Sequence, residues 1–323
     1  MTILSIAQNE DRARKDACGI LSEGGLVALP TETVYGLAAD ATNGEAVARI
    51  FEAKGRPRFN PLICHMSGIA MARRYVEFNA MAERLAETFW PGPLTLVLPL
   101  KADAAIHPLA CAGLDTLAVR VPTGFAQGLI AEFDRPLAAP SANTSGKVSS
   151  TTADHVAADL GNRVRLILDG GPAAIGLEST IVKPTKTGIE LLRPGGLAAA
   201  EIEAASGMRL TRSTEAAPAI EAPGMLRSHY APGAHLRINA QTAAAGDAVI
   251  TFAGKAIPGD EHASIVLDLS PSGNLREAAA NLFDFMKRAD TAARNQIVVA
   301  PIPKEGLGEA INDRLERAAA PRV

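Results

Sequence analysis

The sequence has few aromatic residues, few cysteines and no long hydrophobic run, and each shortage excludes a class of protein. Aromatic residues make up 4% of the chain, with one tryptophan, so a base-stacking platform for single-stranded nucleic acid is not expected. Cys18, Cys64 and Cys111 are widely spaced without a CxxC pair, which argues against a disulfide framework and a zinc site. The N-terminal segment lacks a secretory hydrophobic region, and no apolar run reaches membrane-spanning length. We therefore expect a cytoplasmic protein without a membrane segment.

The chain also lacks a strong excess of either charge. Its formal net charge is -3, which does not indicate a nucleic-acid binder, although a local basic patch is compatible with it. Hydrophobic residues make up 47% and charged residues 21% of the 323 residues, which is ordinary for a globular protein with a buried core. This length predicts one large domain or two ordinary ones.

Apolar periodicity predicts strands and helices that alternate irregularly over the first 208 residues. The predicted helices are 11–23, 45–54, 81–90 and 153–160. The predicted strands are 26–29, 61–66, 94–98, 116–121, 137–139, 166–168, 180–182 and 189–192. This order favours an α/β fold with a twisted mixed sheet and helices over a regular doubly wound sheet.

The composition changes after about residue 208. Residues 209–234 are rich in proline and glycine without apolar periodicity, which predicts a linker or an active-site lid. A lid would bring Tyr230 to a bound nucleotide, whereas a plain tether would pack this ring on the second domain. Beyond the linker, predicted strands 248–252, 264–268 and 297–301 alternate with helices 274–289 and 307–319. The predicted domains are therefore 1–208 and a small C-terminal α/β domain over 235–323, joined by 209–234.

Three cations alternate in the segment KGRPRFNP, which contains Lys54, Arg56 and Arg58. Gly55 and Pro57 prevent a continuing helix, and an extended or turning segment places alternate side chains on one side. This arrangement suits a multiply charged anion such as a nucleotide polyphosphate. Alternatively, the segment is a basic loop after a helix C-terminus, which accounts for Lys54 but not for the two arginines.

A second segment, APSANTSGK, follows a short predicted strand and contains Ser141 and Asn143. It does not match a P-loop, because Val148 stands where Ser or Thr is required. A backbone-lined anion site is still chemically reasonable here, and a plain polar turn is the alternative.

A third segment, PTETVYG, places Thr31, Thr33 and Tyr35 at alternating positions after a predicted strand. Their hydroxyl groups are expected to share one face, at a strand end where α/β sheets hold ligands. The alternative is that these residue types simply favour strands.

Arg120 lies in an apolar strand, where an unpaired charge is costly. We expect it to have an anionic partner, either an acidic side chain or a substrate carboxylate. Ser179 and Arg193 lie at predicted strand ends, where they could join a site. His65 lies in an apolar strand, where a histidine is more often a core residue than a catalytic one.

The chain contains no GxSxG, HExxH or catalytic Cys–His signature. It offers anion-binding groups without an evident protein nucleophile. Such a site suits catalysis by positioning and charge stabilisation, as in phosphoryl or nucleotidyl transfer.

These motifs, in this order, resemble the YrdC-type threonylcarbamoyl-AMP synthases. The similarity covers roughly residues 10–205 and includes PTETVYGL, the KxR of Lys54 and Arg56, NPL, WPGPLT, LAVRVP, PSAN, DGG, GLESTIV and LLRPG. SHYAPGA at 228–234 and GLGEAINDRLERAA at 306–319 resemble the long, two-domain form of the family.

The resemblance implies L-threonine, bicarbonate or carbon dioxide, and ATP with Mg²⁺ as substrates, and threonylcarbamoyl-AMP and pyrophosphate as products. It implies that the product serves tRNA threonylcarbamoyladenosine modification, with tRNA-modifying proteins as possible partners. Two other functions stay open, a related carbamoyl-transfer enzyme and an RNA-binding module, and direct tRNA binding is unresolved.

The resemblance also assigns site residues. It marks Lys54, Arg56, Ser141 and Asn143 as catalytic. For ATP it implies Lys54, Arg58, Thr116, Ser141, Asn143, Ser149, Arg193 and Tyr230. For threonine it implies Thr31, Tyr35, His65, Arg120, Ala139 and Ser179. No protein side chain is assigned to the metal.

Overall fold

The computed structural model describes residues 1–57, 59–212, 221–224 and 229–321. Arg58 and most of the predicted linker lie outside this range. The strands are β1 Thr2–Ser5, β2 Val27–Leu29, β3 Gly36–Asp40, β4 Ile63–His65, β5 Leu94–Pro99, β6 Thr116–Arg120, β7 Leu137–Ala138, β8 Leu166–Asp169, β9 Thr180–Pro184, β10 Ile189–Arg193, β11 Leu210–Arg212, β12 His235–Arg237, β13 Ala248–Thr251, β14 Ile265–Asp268 and β15 Gln296–Val299. The helices are α1 Glu10–Ser22, α2 Gly44–Lys54, α3 Ile69–Ala72, α4 Ala80–Phe89, α5 Phe125–Phe133, α6 Ala153–Leu160, α7 Ala199–Ser206, α8 Leu275–Ala292 and α9 Leu307–Ala319.

A large mixed sheet forms the first part of the molecule. Its strand order is β1-β8-β2-β3-β7-β4-β6-β5-β9-β10-β11. Pairs such as β4 with β6 are parallel, whereas β5 with β6 is antiparallel. This arrangement confirms the prediction of a twisted mixed sheet.

A small parallel sheet forms the C-terminal part, with the order β12-β15-β13-β14. All three neighbouring pairs are parallel, and α8 and α9 supply buried side chains to its core. This confirms the predicted small α/β domain. Tyr230, Val34, Val148 and Leu177 pack into the same core, so the two sheets are joined through a shared apolar cluster.

Helix α2 shows how the sequence sets a boundary close to the site. Asn43 caps its N-terminus by accepting hydrogen bonds from Glu45 N and Ala46 N. Gly55 ends it in the left-handed conformation, with φ of 61°, which a glycine adopts without a Cβ clash. Lys54 is therefore the last helical residue, and Arg56 begins the irregular segment.

Seven of the described elements were not predicted from the sequence, namely β1, β3, β11, β12, α3, α5 and α7. Strand β3 was not predicted, because its small residues have low strand propensity. Helix α5 was not predicted, because Gly128 weakens the helical pattern in its interior. Strand β11 lies inside the predicted linker and extends the large sheet by pairing in parallel with β10. Within the described residues, no helix is both long and apolar enough to cross a membrane.

Candidate active site

A pocket lies where the large sheet meets the small domain. Its polar walls come from separate parts of the chain, namely Thr31, Thr33, Arg56, His65, Arg120, Ser141, Glu178, Ser179, Arg193, His229 and Tyr230. Three of these side chains are buried arginines, Arg56, Arg120 and Arg193. A pocket with this much buried positive charge suits an anionic ligand.

Lys54 lies behind the pocket wall and joins two motifs. Its Nζ donates to the carbonyl oxygen of Ser141 at 2.6 Å and also to that of Asn143. In return, Ser145 N donates to the carbonyl oxygen of Lys54. Burial lowers the pKa of Lys54, and the nearby Arg56 lowers it further. The expectation that Lys54 and Arg56 share one side is not what the structure shows, because Lys54 ends a helix and its ammonium group binds loop carbonyls.

The loop at 141–147 is stabilised by hydrogen bonds from one of its own side chains, that of Asn143. Asn143 Nδ2 donates to the carbonyl oxygens of Thr144 and Lys147, at 2.8 and 3.0 Å. Ser141 lies in the pocket lining, whereas Asn143 lies behind it with its Oδ1 buried. In this structure Asn143 therefore holds the shape of the loop, and the loop places Ser141 in the pocket lining.

Arg56 is positioned by the backbone of its own segment. Its Nε donates to the carbonyl oxygen of Asn60, and its Nη2 donates to that of Pro61 at 2.8 Å. Burial lowers its pKa to about 10, which still leaves the guanidinium charged at neutral pH. The remaining donors of the guanidinium are available to the pocket that it lines.

The segment at 31–35 is a turn, so the expectation of a shared strand-like face is wrong for one of its three hydroxyls. Thr31 Oγ1 contacts Thr33 Oγ1 at 2.8 Å and donates to the carbonyl oxygen of Val34 at 2.7 Å. Tyr35 instead turns its hydroxyl to the carbonyl oxygen of Gly171, at 2.8 Å. Thr31 and Thr33 lie in the pocket lining, and Tyr35 does not.

Arg120 has an acidic partner, as expected for a charge in an apolar strand. Its Nη2 lies 2.6 Å from Glu32 Oε1, although the two groups are not aligned as a hydrogen bond. Its Nη1 donates to Thr33 Oγ1 at 2.8 Å, and its Nε donates to the carbonyl oxygen of Gly92. At 2.6 Å in a buried site, the guanidinium of Arg120 and the carboxylate of Glu32 attract each other even without ideal hydrogen-bond alignment.

His65 lies beside Arg120 on the neighbouring strand, in register with it. Burial lowers the pKa of His65 to about 3, and Arg120 acts in the same direction. The ring is therefore neutral at physiological pH. Its buried Nδ1 has no hydrogen-bond partner among the described residues, and the side chain lines the pocket, so it offers a polar atom to a ligand. Ala139 lies in the same wall.

Thr116 lies at the other end of the strand that carries Arg120. A strand rises by about 3.3 Å per residue, so the two Cα atoms are separated by roughly 13 Å. The structure does not bring Thr116 into the pocket lining.

Arg193 is hydrogen-bonded to Ser179. Arg193 donates from Nη2 and Nε to the carbonyl oxygen of Ser179, at 2.8 and 3.2 Å, and from Nη1 to that of Pro223. Ser179 Oγ contacts Thr95 Oγ1 at 2.7 Å. Both Arg193 and Ser179 line the pocket, as the sequence suggested for strand-end residues.

Ser149 contacts Glu178, a residue that the sequence analysis did not single out. Ser149 lies outside the lining, and its Oγ donates to Glu178 Oε1 at 2.5 Å. Glu178 lines the pocket, and its second oxygen accepts from Arg314 Nε at 2.9 Å. A glutamate within an apolar, strand-bounded motif is the one sequence signal that could have identified it.

Tyr230 is buried, lines the pocket and also packs on the second domain. Its ring stacks on Phe283 with a centroid distance of 5.7 Å, and Arg314 lies 5.1 Å from its centroid. Tyr230 adopts a positive φ of 61°, which is uncommon outside glycine and indicates a tightly constrained backbone. The preceding His229 also lines the pocket, and burial lowers its pKa to about 3.

The described residues contain no group of three or more His, Cys, Asp and Glu side chains that could hold a metal ion. Both carboxylate oxygens of Glu178 are already engaged by Ser149 and Arg314. These donors do not fit a protein-held Mg²⁺ ion, whereas the arginines fit phosphates that bring their own ion.

Two family models match the chain, and together they cover most of it. Residues 19–195 match the Sua5/YciO/YrdC family, described as telomere recombination, and residues 197–320 match the threonylcarbamoyl-AMP synthase C-terminal domain. The chain is 41% identical to a threonylcarbamoyl-AMP synthase of Bacillus subtilis, over 95% of this chain and 93% of the relative. It is also 41% identical to the synthase of Pyrococcus abyssi, over 95% of this chain and 94% of the relative.

The structure resembles the crystal structure of P. abyssi Sua5 complexed with L-threonine. The TM-score is 0.88 at 38% sequence identity, and the match covers 99% of this chain and 98% of the other. The similarity therefore includes the small domain as well as the large sheet.

Proposed function

The chain belongs to the Sua5/YciO/YrdC family of threonylcarbamoyl-AMP synthases, and from this membership we propose the reaction that it catalyses. L-Threonine, bicarbonate or carbon dioxide, and ATP are converted into L-threonylcarbamoyl-AMP and pyrophosphate. We propose that the product supplies tRNA threonylcarbamoyladenosine modification in the cytoplasm, through tRNA-modifying partner proteins.

One observation carries this proposal, namely that Arg56, Arg120 and Arg193 converge from separate elements on one pocket beside small hydroxyl groups. Both reacting partners, a carbamate and a triphosphate, are anions. Their mutual repulsion must be cancelled before they can react, and fixed guanidinium groups in a dry pocket do this without reorganising.

The proposed chemistry has two steps. The neutral amine of threonine forms an N–C bond to carbon dioxide and loses one proton to solvent, which gives a carbamate. A carbamate oxygen then forms a bond to the α-phosphorus of ATP while the bond to the β-phosphate oxygen breaks, and pyrophosphate leaves with its electron pair. The protein contributes positioning and charge stabilisation, since no side-chain nucleophile is required.

For ATP we propose Arg56, Arg193 and Ser141 at the pocket surface, with Tyr230 covering the nucleotide. Lys54 and Asn143 would act from behind by holding the loop that carries Ser141. Ser149 would act through Glu178. Arg58 lies outside the described residues, and its phosphate contact is proposed from the sequence alone. Mg²⁺ would enter with ATP and shield the phosphate charges.

For threonine we propose the wall formed by Thr31, His65, Arg120, Ala139 and Ser179. The guanidinium of Arg120 would bind the carboxylate and share its charge with Glu32. The neutral His65 ring and the hydroxyl groups would meet the amine and the side-chain hydroxyl. Tyr35 would contribute by fixing the adjoining turn through Gly171. The bound L-threonine of the P. abyssi protein supports this class of ligand.

Incubation with ATP, L-threonine and labelled bicarbonate tests the proposal. We expect a labelled threonylcarbamoyl adenylate and stoichiometric pyrophosphate, both dependent on threonine. A parallel incubation contains labelled carbamoyl phosphate and no threonine. Transfer of label in that incubation would instead indicate the carbamoyl-transfer alternative. Absence of any nucleotide turnover together with tight RNA binding would indicate the RNA-binding alternative.

A further inference from the structure

Arg314, on helix α9 of the small domain, is a fully buried charge with 0% exposure. Its Nε donates to Glu178 Oε2 at 2.9 Å, and its Nη2 donates to the carbonyl oxygen of Pro194 at 2.9 Å. Its Nη1 donates to Asp313 on the same helix. A buried guanidinium persists only where its donors are satisfied, so these contacts fix its position.

Two of these partners belong to the large-sheet part of the chain. Glu178 precedes β9, and Pro194 follows β10. The two segments pack backbone against backbone, because a Cβ on Gly195 would lie 2.4 Å from the carbonyl oxygen of Glu178. Arg314 therefore reaches from the small domain into the wall of the pocket and ties two of its segments together.

Glu178 depends on this contact. It is buried and lines a pocket that otherwise carries positive charge. Burial opposes its ionisation, but attraction to Arg314 and to Arg193 outweighs burial and lowers its pKa. Without Arg314, the wall would hold a poorly compensated carboxylate facing an anionic ligand.

The same guanidinium supports the aromatic side of the pocket. It lies 5.1 Å from the ring centroid of Tyr230, and that ring also contacts His229 at 4.1 Å and Phe283 at 5.7 Å between centroids. A cation over an aromatic face is attractive, and more so in a desolvated site. The side chain of Arg314, from the small domain, thus contacts both Glu178 and Tyr230 in the pocket wall.

We propose that Arg314 is a positioning residue for ATP binding, which neutralises Glu178 and holds it with Tyr230 in the pocket wall. This inference rests on the proposed synthase function and deepens it. The small domain would complete the nucleotide site through one buried ion pair, without touching the substrate itself.

The test compares ATP affinity among four variants, measured by calorimetry with MgATP and without threonine. The variants are Arg314→Met, Glu178→Gln, the double variant of both, and Arg288→Met. Arg288 forms an ion pair with Asp284 at 3.5 Å on the same domain, with half of its side chain exposed, and serves as the matched control. Folding is checked by circular dichroism and thermal unfolding.

We expect Arg314→Met to weaken ATP binding roughly tenfold or more, because truncating one partner leaves a buried charge unpaired. The double variant should bind ATP within about threefold of Glu178→Gln alone, since the unpaired carboxylate is then absent. Arg288→Met should bind like the wild type. In turnover assays the KM for ATP should rise in Arg314→Met while the KM for threonine stays unchanged.

Wild-type ATP affinity in Arg314→Met would overturn the inference. If Arg314→Met does not fold, the ATP affinity of the double variant is compared with that of Glu178→Gln. An affinity tenfold or more weaker in the double variant would overturn the inference, because Arg314 would then act other than through Glu178. A double variant that fails to fold while Glu178→Gln folds would also overturn it. Because these readouts measure ATP binding, they stand apart from the synthase proposal, which fails only if no threonylcarbamoyl-AMP forms.

Discussion

Lys54 Nζ donates a hydrogen bond of 2.6 Å to the carbonyl oxygen of Ser141, so two motifs 87 residues apart in the chain meet behind one pocket wall. The ammonium group is almost fully buried and also binds the carbonyl oxygen of Asn143. The lysine thus holds the loop that presents Ser141, rather than projecting into the pocket.

Replacement of Lys54 tests this arrangement. We expect Lys54→Ala to lower the rate of product formation by about a hundredfold or more, roughly 3 kcal/mol, because two buried carbonyl groups lose a charged donor. Lys147→Ala is the control, since Lys147 lies in the same loop with 64% of its side chain exposed. Near-normal turnover of the folded Lys54→Ala protein would contradict the prediction.

Replacement of Arg120 should act on threonine alone. We expect Arg120→Met to raise the KM for threonine about tenfold or more and to change the KM for ATP little, because the guanidinium is proposed to bind the amino-acid carboxylate. Arg73→Met, which removes an exposed ion pair with Glu83, should change neither constant. An unchanged KM for threonine in Arg120→Met would show that this arginine serves only Glu32.

The predicted lid is tested by hydrogen exchange. Gly224 and Tyr230 approach each other at the pocket, where a Cβ on Gly224 would lie 3.1 Å from the Tyr230 hydroxyl oxygen. We expect ATP plus threonine to slow amide exchange over 224–234, because closure over a hydrolysable anhydride excludes water. Residues 225–228 of this segment lie outside the described residues. Exchange over 224–234 that is unchanged by both ligands, relative to helix α1 (10–22), which supplies no residue to the pocket lining, would contradict the lid.

Acidification should destabilise the protein through its two buried histidines. The folded pKa of His65 and of His229 is lowered to about 3 from an ordinary value of 6.5. Between these values the unfolded chain binds more protons, so the free energy of unfolding falls as pH falls through this window. Each histidine should contribute a loss of about 2 kcal/mol between pH 7 and pH 5.

Denaturant unfolding at the two pH values checks this expectation. His65→Asn should show a loss of stability on acidification that is smaller by about 2 kcal/mol than that of the wild type. His262→Asn is the control, because 70% of the His262 side chain is exposed, and its pH dependence should match that of the wild type. The same pH dependence in His65→Asn and the wild type would be the contrary result.

Gly195 permits a close backbone contact beside the site. A Cβ there would lie 2.4 to 2.5 Å from backbone atoms of Glu178, Ser179 and Thr180, whereas a Cβ on Gly188 would meet nothing within 4 Å. Gly195→Ala should therefore lower the free energy of unfolding by about 1–3 kcal/mol and weaken ATP binding. Gly188→Ala, the matched control, should stay within about 0.5 kcal/mol of the wild type. Equal stability of the two variants would contradict the close contact.

Local sequence patterns determined much of the architecture. Helices 153–160 and 307–319 were predicted with the bounds that the structure shows, because apolar spacing over a few turns decides where an amphipathic helix begins and ends. The mixed sheet and the small α/β domain were predicted from the same kind of pattern. The order of the motifs identified the family, since each motif is short and contiguous.

The tertiary structure alone decided which motif residues face the pocket. Lys54 and Asn143 lie behind the wall, Tyr35 turns to Gly171, and Glu178 pairs with Arg314, which is 136 residues away in the chain. Periodicity reports on contacts within a few residues, whereas these contacts depend on the strand order and on how the small domain docks. A buried charge pairs with an opposite charge that the fold brings within a few ångströms of it. The spacing of residues within a motif does not predict that partner, because the partner can lie anywhere in the chain.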